Sequence, residues 1–113
     1  MTKTNQDFTM WSGDDKVITV TVYDNDDVIV DITAATITWQ LSQNVNSAAL
    51  ITKTVGSGIA LSDPTHGQFT VTLDPADTAS LSGRYYHEAE ITDSSGNVNT
   101  GLVGHATIKT DAI

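Results

Sequence analysis

Three histidines, two neighbouring glutamates and a run of aspartates are the residues of this chain whose types suit chemistry. His66, His87 and His105 share no metal-ligand spacing, and "HEAE" at 87–90 lacks the second His that a zinc-protease helix requires one turn further on. Acid–base work by His87 with Glu88 and Glu90 is the remaining catalytic reading. On a strand, alternation sends His87 to one face and both glutamates to the other. No nucleophile, metal set or oxyanion element accompanies them, so no catalytic residue is assigned and the chain is read as a non-enzyme. His87 is expected to be a semi-buried sheet residue and His66 a turn residue.

The stretch "DNDDVIVD" offers Asp24, Asp26, Asp27 and Asp31, hard oxygen ligands of the kind calcium takes. Val28 falls where an EF-hand loop places its third ligand, and no glycine follows it. Asp and Asn are also the residues that turns use, so a hairpin turn with solvated carboxylates accounts for the same stretch. No metal site and no cofactor is expected. No Ser stands in a nucleophile elbow, and no glycine-rich loop opens a helix that could hold a phosphate.

The elements that must carry these residues are strands. The 113 residues fit one domain, read as residues 1–113 with short tails at about 1–6 and 110–113. At this length roughly 65% of the unfolded chain's surface can be buried on folding. There is no cysteine, so the fold rests on packing and backbone pairing alone. Eighteen threonines and many valines and isoleucines favour a pleated surface. Period-two runs place Ile18, Val20 and Val22 on one face of their strand; Ile37, Trp39 and Leu41, then Phe69, Val71 and Leu73, repeat the pattern. Tyr85, His87, Ala89 and Ile91 follow, and then Leu102, Ala106 and Ile108, interrupted by Gly104. Turn-rich segments separate the runs, and "DPADTASL" suits one helical turn begun by Pro75 and capped by Asp74. The expected fold is all-β: an immunoglobulin-like antiparallel β-sandwich of seven to nine short strands.

Leu81, Gly83 and Tyr85 form an L-x-G-x-Y run entering a strand, where sandwich domains place a tyrosine whose hydroxyl bonds back across a corner. Trp39 is in phase with the core. Trp11, near the N-terminus, packs either inside or on a partner, and with Tyr86 it is a candidate interface residue. A net charge of −9 repels phosphate backbones and anionic lipid, so neither nucleic acid nor membrane is an expected partner. No signal-like apolar run opens the chain, and synthesis in the cytoplasm is expected.

The segments "SGDDKVITVTV", "VDITAATITWQL", "GSGIAL", "HGQFTVTL" and "DTASLSGRYYHEAEI" together resemble the immunoglobulin-like domain at the N-terminus of tailed-phage baseplate upper proteins and related small domains of phage virion proteins. The similarity covers roughly residues 8–109. It implies a bacteriophage virion structural protein, an adaptor or accessory module of the tail, baseplate or neck, with no catalytic residues. Expected partners are other virion proteins with basic docking surfaces, or further copies of the chain within the particle. No heptad run or fibre-like extension follows the domain, which leaves room for a capsid decoration protein. A carbohydrate- or surface-binding module using Trp11 or Tyr86 is the other alternative.

Overall fold

The computed structural model describes residues 6–24 and 26–110. Eight strands follow in chain order: β1 (Phe8–Trp11), β2 (Lys16–Thr21), β3 (Thr36–Ser42), β4 (Ala49–Val55), β5 (Gly58–Asp63), β6 (Gln68–Leu73), β7 (Gly83–Thr92) and β8 (Val98–Lys109). The only other elements among the described residues are a 3-10 turn at Pro64–His66 and a single helical turn, α1 (Pro75–Thr78). Pro75 opens α1, and Asp77 Oδ2 accepts the Asp74 N–H at 2.7 Å, as the sequence of that turn predicts.

The chain is all-β, and its strands hydrogen-bond in the single order β1-β8-β7-β3-β4-β5-β6-β2. The inward sets read from the alternation are buried except at Ile18, which is partly buried against the core: Trp39, Ile37, Leu41, Phe69, Val71, Leu73, Ala89 and Ala106 are all 0% exposed. Residues from both ends of the strand order share one apolar cluster, so the sheet curls around a single core. Its edge strands β1 and β2 are joined by only Ser12–Asp15, which brings the edges close and makes the curl nearly barrel-like.

The expectation of a wholly antiparallel arrangement is corrected at two places. β1 runs parallel to β8, from Phe8↔Ala106 to Trp11↔Lys109. The short connection after Trp11 lets the chain leave the β8 edge and enter β2 beside β6, so β1 keeps the direction of its neighbour. β4 and β5 also pair in parallel, through Thr54↔Gly58 and Val55↔Ile59 alone. A parallel pair ordinarily needs a crossover of a dozen residues or more. Here Gly56 and Ser57 bend the chain without reversing it, so one extended segment passes from one part of the curled sheet to the next.

Of the expected tails, residues 1–5 and 111–113 lie outside the described residues. Gln6 is held, its N–H donating to the Val103 carbonyl at 3.1 Å.

Candidate functional site

The β2–β3 connection and the β7–β8 turn face each other across a cleft of about 220 Å3. Its floor is apolar, made by Val22, Ile32, Ala35 and Ile91, all buried. Its rim carries Asp24, Asp31 and Asp93. Each of these carboxylates shapes the loop that presents it. Asp24 Oδ1 accepts the N–H groups of Asp26 at 2.8 Å and Val28 at 3.0 Å, closing the turn that the Tyr23↔Ile29 bridge begins. Asp31 Oδ1 accepts the Thr33 N–H at 2.8 Å and its hydroxyl at 2.6 Å. Asp93 Oδ1 takes the N–H groups of Ser95 and Asn97, both at 2.9 Å, and Oδ2 takes the Asn97 side-chain amide at 3.1 Å.

Hydrogen bonds to the ionised form favour it. The Val28 and Asp26 amides hold the Asp24 carboxyl below the usual range, the Thr33 hydroxyl and amide do so for Asp31, and the Asn97 backbone and side chain for Asp93. All three rim groups are therefore anions at neutral pH, poorly suited to moving protons. An apolar floor beneath a fixed anionic rim suits an alkyl stem with a cationic head, the chemistry of a lysine or arginine side chain. In the candidate calcium stretch, Asp26 and Asp27 are exposed on the turn, and among the described residues no three His, Asp, Glu or Cys side chains converge as a metal set.

The residues of the catalytic reading are separated. Glu88 and Glu90 lie on the outer face, where they line a shallow depression with Thr38 and Gln40. His87 is on the inner face and is 1% exposed, which corrects the semi-buried expectation. Its Nδ1 accepts the Trp39 indole N–H at 3.1 Å and its Nε2 lies 2.6 Å from the Gln6 carbonyl. A strand's phase shows that a residue points inward but not which polar groups await it there. His66 is exposed in the 3-10 turn, where the Asp63 carboxylate 3.0 Å away raises its pKa, and His105 is exposed on β8.

Trp11 stands half-exposed on the outer face of β1, with the Lys109 ammonium 5.4 Å from its ring centroid. Tyr86 is half-buried on the outer face of β7, its ring 6.2 Å from that of His105. Trp11 pairs in register with Lys109 and Tyr86 with His105, so the two aromatics are about 13 Å apart along the strand direction and form no joint platform. At the corner, the Tyr85 hydroxyl donates to the Ser82 carbonyl at 2.9 Å and accepts the Ser82 N–H at 3.1 Å. Gly83 sits at φ 115°, a conformation that side chains rarely adopt, and Leu81 packs against the core.

Asp24 and Asp31 belong to the stretch that the sequence offers as a metal loop or a hairpin turn, and Asp93, from a separate turn, joins them only in the folded chain. The signal within reach was the repeated aspartate two or four residues before the amide it caps. No protein-family model matches this chain, and no curated protein matches it either.

Proposed function

We propose that this chain is a non-enzymatic docking module of a bacteriophage particle, an adaptor or accessory protein of the tail, baseplate or neck. The observation that carries the docking half of this reading is the cleft between the β2–β3 connection and the β7–β8 turn, an apolar floor under three carboxylates already committed to their loops. The partner surface we assign to it is basic, with a Lys or Arg side chain entering the cleft. A net charge of −9 favours such a partner at long range and disfavours nucleic acid and anionic membrane.

The virion half rests on the similarity of residues 8–109 to the immunoglobulin-like domains of phage structural proteins. What supports an immunoglobulin-like arrangement is the strand order within the one curled sheet: β2 pairs with β6 and β3 with β7, neighbours that are not consecutive in the chain, and β1 lies beside the last strand. Mass spectrometry on purified phage particles separated into heads and tails tests the reading. The expected result is a stoichiometric amount in the tail fraction. Enrichment in heads would favour capsid decoration, and absence from both fractions would refute a place in the virion.

A further inference from the structure

The buried imidazole of His87 takes no part in the cleft, yet it ties the N-terminal segment to the core. Its tautomer follows from its partners. An indole N–H only donates, so His87 Nδ1 accepts from Trp39 and carries no proton; a carbonyl only accepts, so Nε2 carries the proton and donates to Gln6. Both ring nitrogens are satisfied only in the neutral form. A second proton would set Nδ1–H against the Trp39 N–H, two donors facing each other in a site 1% exposed.

The remaining contacts show that the N-terminal segment is what covers this ring. The Phe8 ring stands edge-on to His87 at 5.0 Å. The Asp7 carboxylate accepts the His105 N–H at 2.8 Å, and Gln6 crosses β8 over Gly104, the residue in register with His87. A Cβ at position 104 would collide with the Gln6 backbone, so glycine there leaves room for Gln6 to reach the imidazole. β1 itself pairs with β8 alone.

We propose that residues 6–11 form a strap over His87 whose closure is lost when the imidazole takes up a proton. Burial lowers the pKa of the ring in the closed state, outweighing the Gln6 carbonyl and the Asp7 carboxylate, which raise it; His105 lowers it further. Asp7 from the strap and His105 from β8 are the ionisable groups that face the ring. Lys16 of β2 lies further out, 6.0 Å from the Phe8 ring centroid, β3 contributes the uncharged Trp39, and Tyr86 and Glu88 occupy the opposite face of β7. With the strap open, the ring is in water and titrates near 6.5. The open state then binds more protons than the closed one below that pH. Closure is therefore fully favoured above about pH 6.5 and weakens as pH falls towards the closed-state pKa. Opening would leave the outer edge of β8 unpaired, the kind of edge that accepts another strand.

The test is amide hydrogen exchange on the full chain, corrected for the intrinsic rate. At the Gln6 and Ser12 amides, which donate to Val103 and Lys109, opening should be more populated at pH 5.5 than at pH 7.5, by up to about tenfold. The Trp39 and Ala89 amides in the centre of the sheet should change much less. H87Q keeps an acceptor and a donor on the side chain without a titrating group, and should flatten the strap profile; H105Q should retain it. A change of the same size that persists in H87Q, or no change in the wild-type chain, would overturn the proposal. Ring nitrogen shifts of wild-type His87 give an independent measure if H87Q does not fold. The Nε2–H tautomer at pH 7.5 is expected, and a ring that titrates at 6.5 or above while the strap amides stay protected would equally overturn it.

Discussion

Tyr85→Phe removes a single oxygen and leaves the ring, 6% exposed, in its place. Two hydrogen bonds go with it, the 2.9 Å donation to the Ser82 carbonyl and the 3.1 Å bond from the Ser82 N–H. Each such neutral bond contributes about 0.5–1.5 kcal/mol. Ser82 is exposed, so water takes over its backbone groups and no buried donor is stranded, which keeps each loss in the lower half of that range. The sum is about 1–2 kcal/mol. A chain of this length unfolds with an entropy of about 0.24 kcal/mol/K, so the melting temperature should fall by about 4–8 °C. Tyr86→Phe is the matched control, one residue along on the opposite face, and should stay within about 0.5 kcal/mol of the parent. Ser82→Ala keeps both backbone partners and should also be near neutral. Thermal and urea unfolding followed by circular dichroism gives all three values. Equal melting temperatures for the two tyrosine variants would refute the backbone clasp, and a Ser82→Ala loss matching that of Tyr85→Phe would move the effect to the serine side chain.

Trp39→Ala should destabilise by about 3–5 kcal/mol in urea melts, because it opens a cavity and strands His87 Nδ1, whereas Trp11→Ala, on an exposed face, should cost less than about 1 kcal/mol. Lys53 Nζ lies 2.8 Å from Asp77 Oδ2, with both side chains largely covered, and Lys53→Met should cost about 1 kcal/mol at pH 7. Burial pushes the Asp77 pKa up, but the Lys53 and Asp74 hydrogen bonds outweigh it and the net shift is down. The pair's contribution is therefore present above the ordinary carboxylate pKa of about 3.9 and is lost as pH falls through the lower folded value, so parent and variant should converge at acid pH. Gly104→Ala should raise exchange at the Gln6 amide, since a methyl there displaces the segment that crosses it; an unchanged rate would mean that the crossing is looser than described. A short arginine-containing peptide should perturb the amides of Ile32, Ile91 and Gly101, and added salt should weaken the effect.

Alternation is a local property, and whatever depended on it could be read from the chain. Ile37, Trp39 and Leu41, or Phe69, Val71 and Leu73, needed only a period of two to be assigned inward, and all are fully buried. Pairing across long separations leaves no such trace. β1 lies parallel to β8 because a four-residue connection moves the chain between edges, and no pattern within Phe8–Trp11 encodes which neighbour it meets. The cleft has the same origin. Asp24 and Asp31 cap one connection and Asp93 another, and only the fold sets them over a common floor.

His87 shows where a sequence can be pressed further. It occupies an inward phase between Tyr85 and Ala89, and a polar ring there demands partners. One partner was within reach, since Trp39 is inward on the neighbouring strand and pairs with Ala89, two positions along. The other, Gln6, is 81 positions away and had no periodic signal. Gly104 was its imprint. A glycine that breaks an otherwise apolar inward run beside a buried polar residue marks a place where another backbone approaches, because a strand gives up packing there that only a close crossing explains. The interruption at Gly104 and the polar residue at His87 are therefore two sides of one contact, and together they point to a covering segment before either residue does so alone.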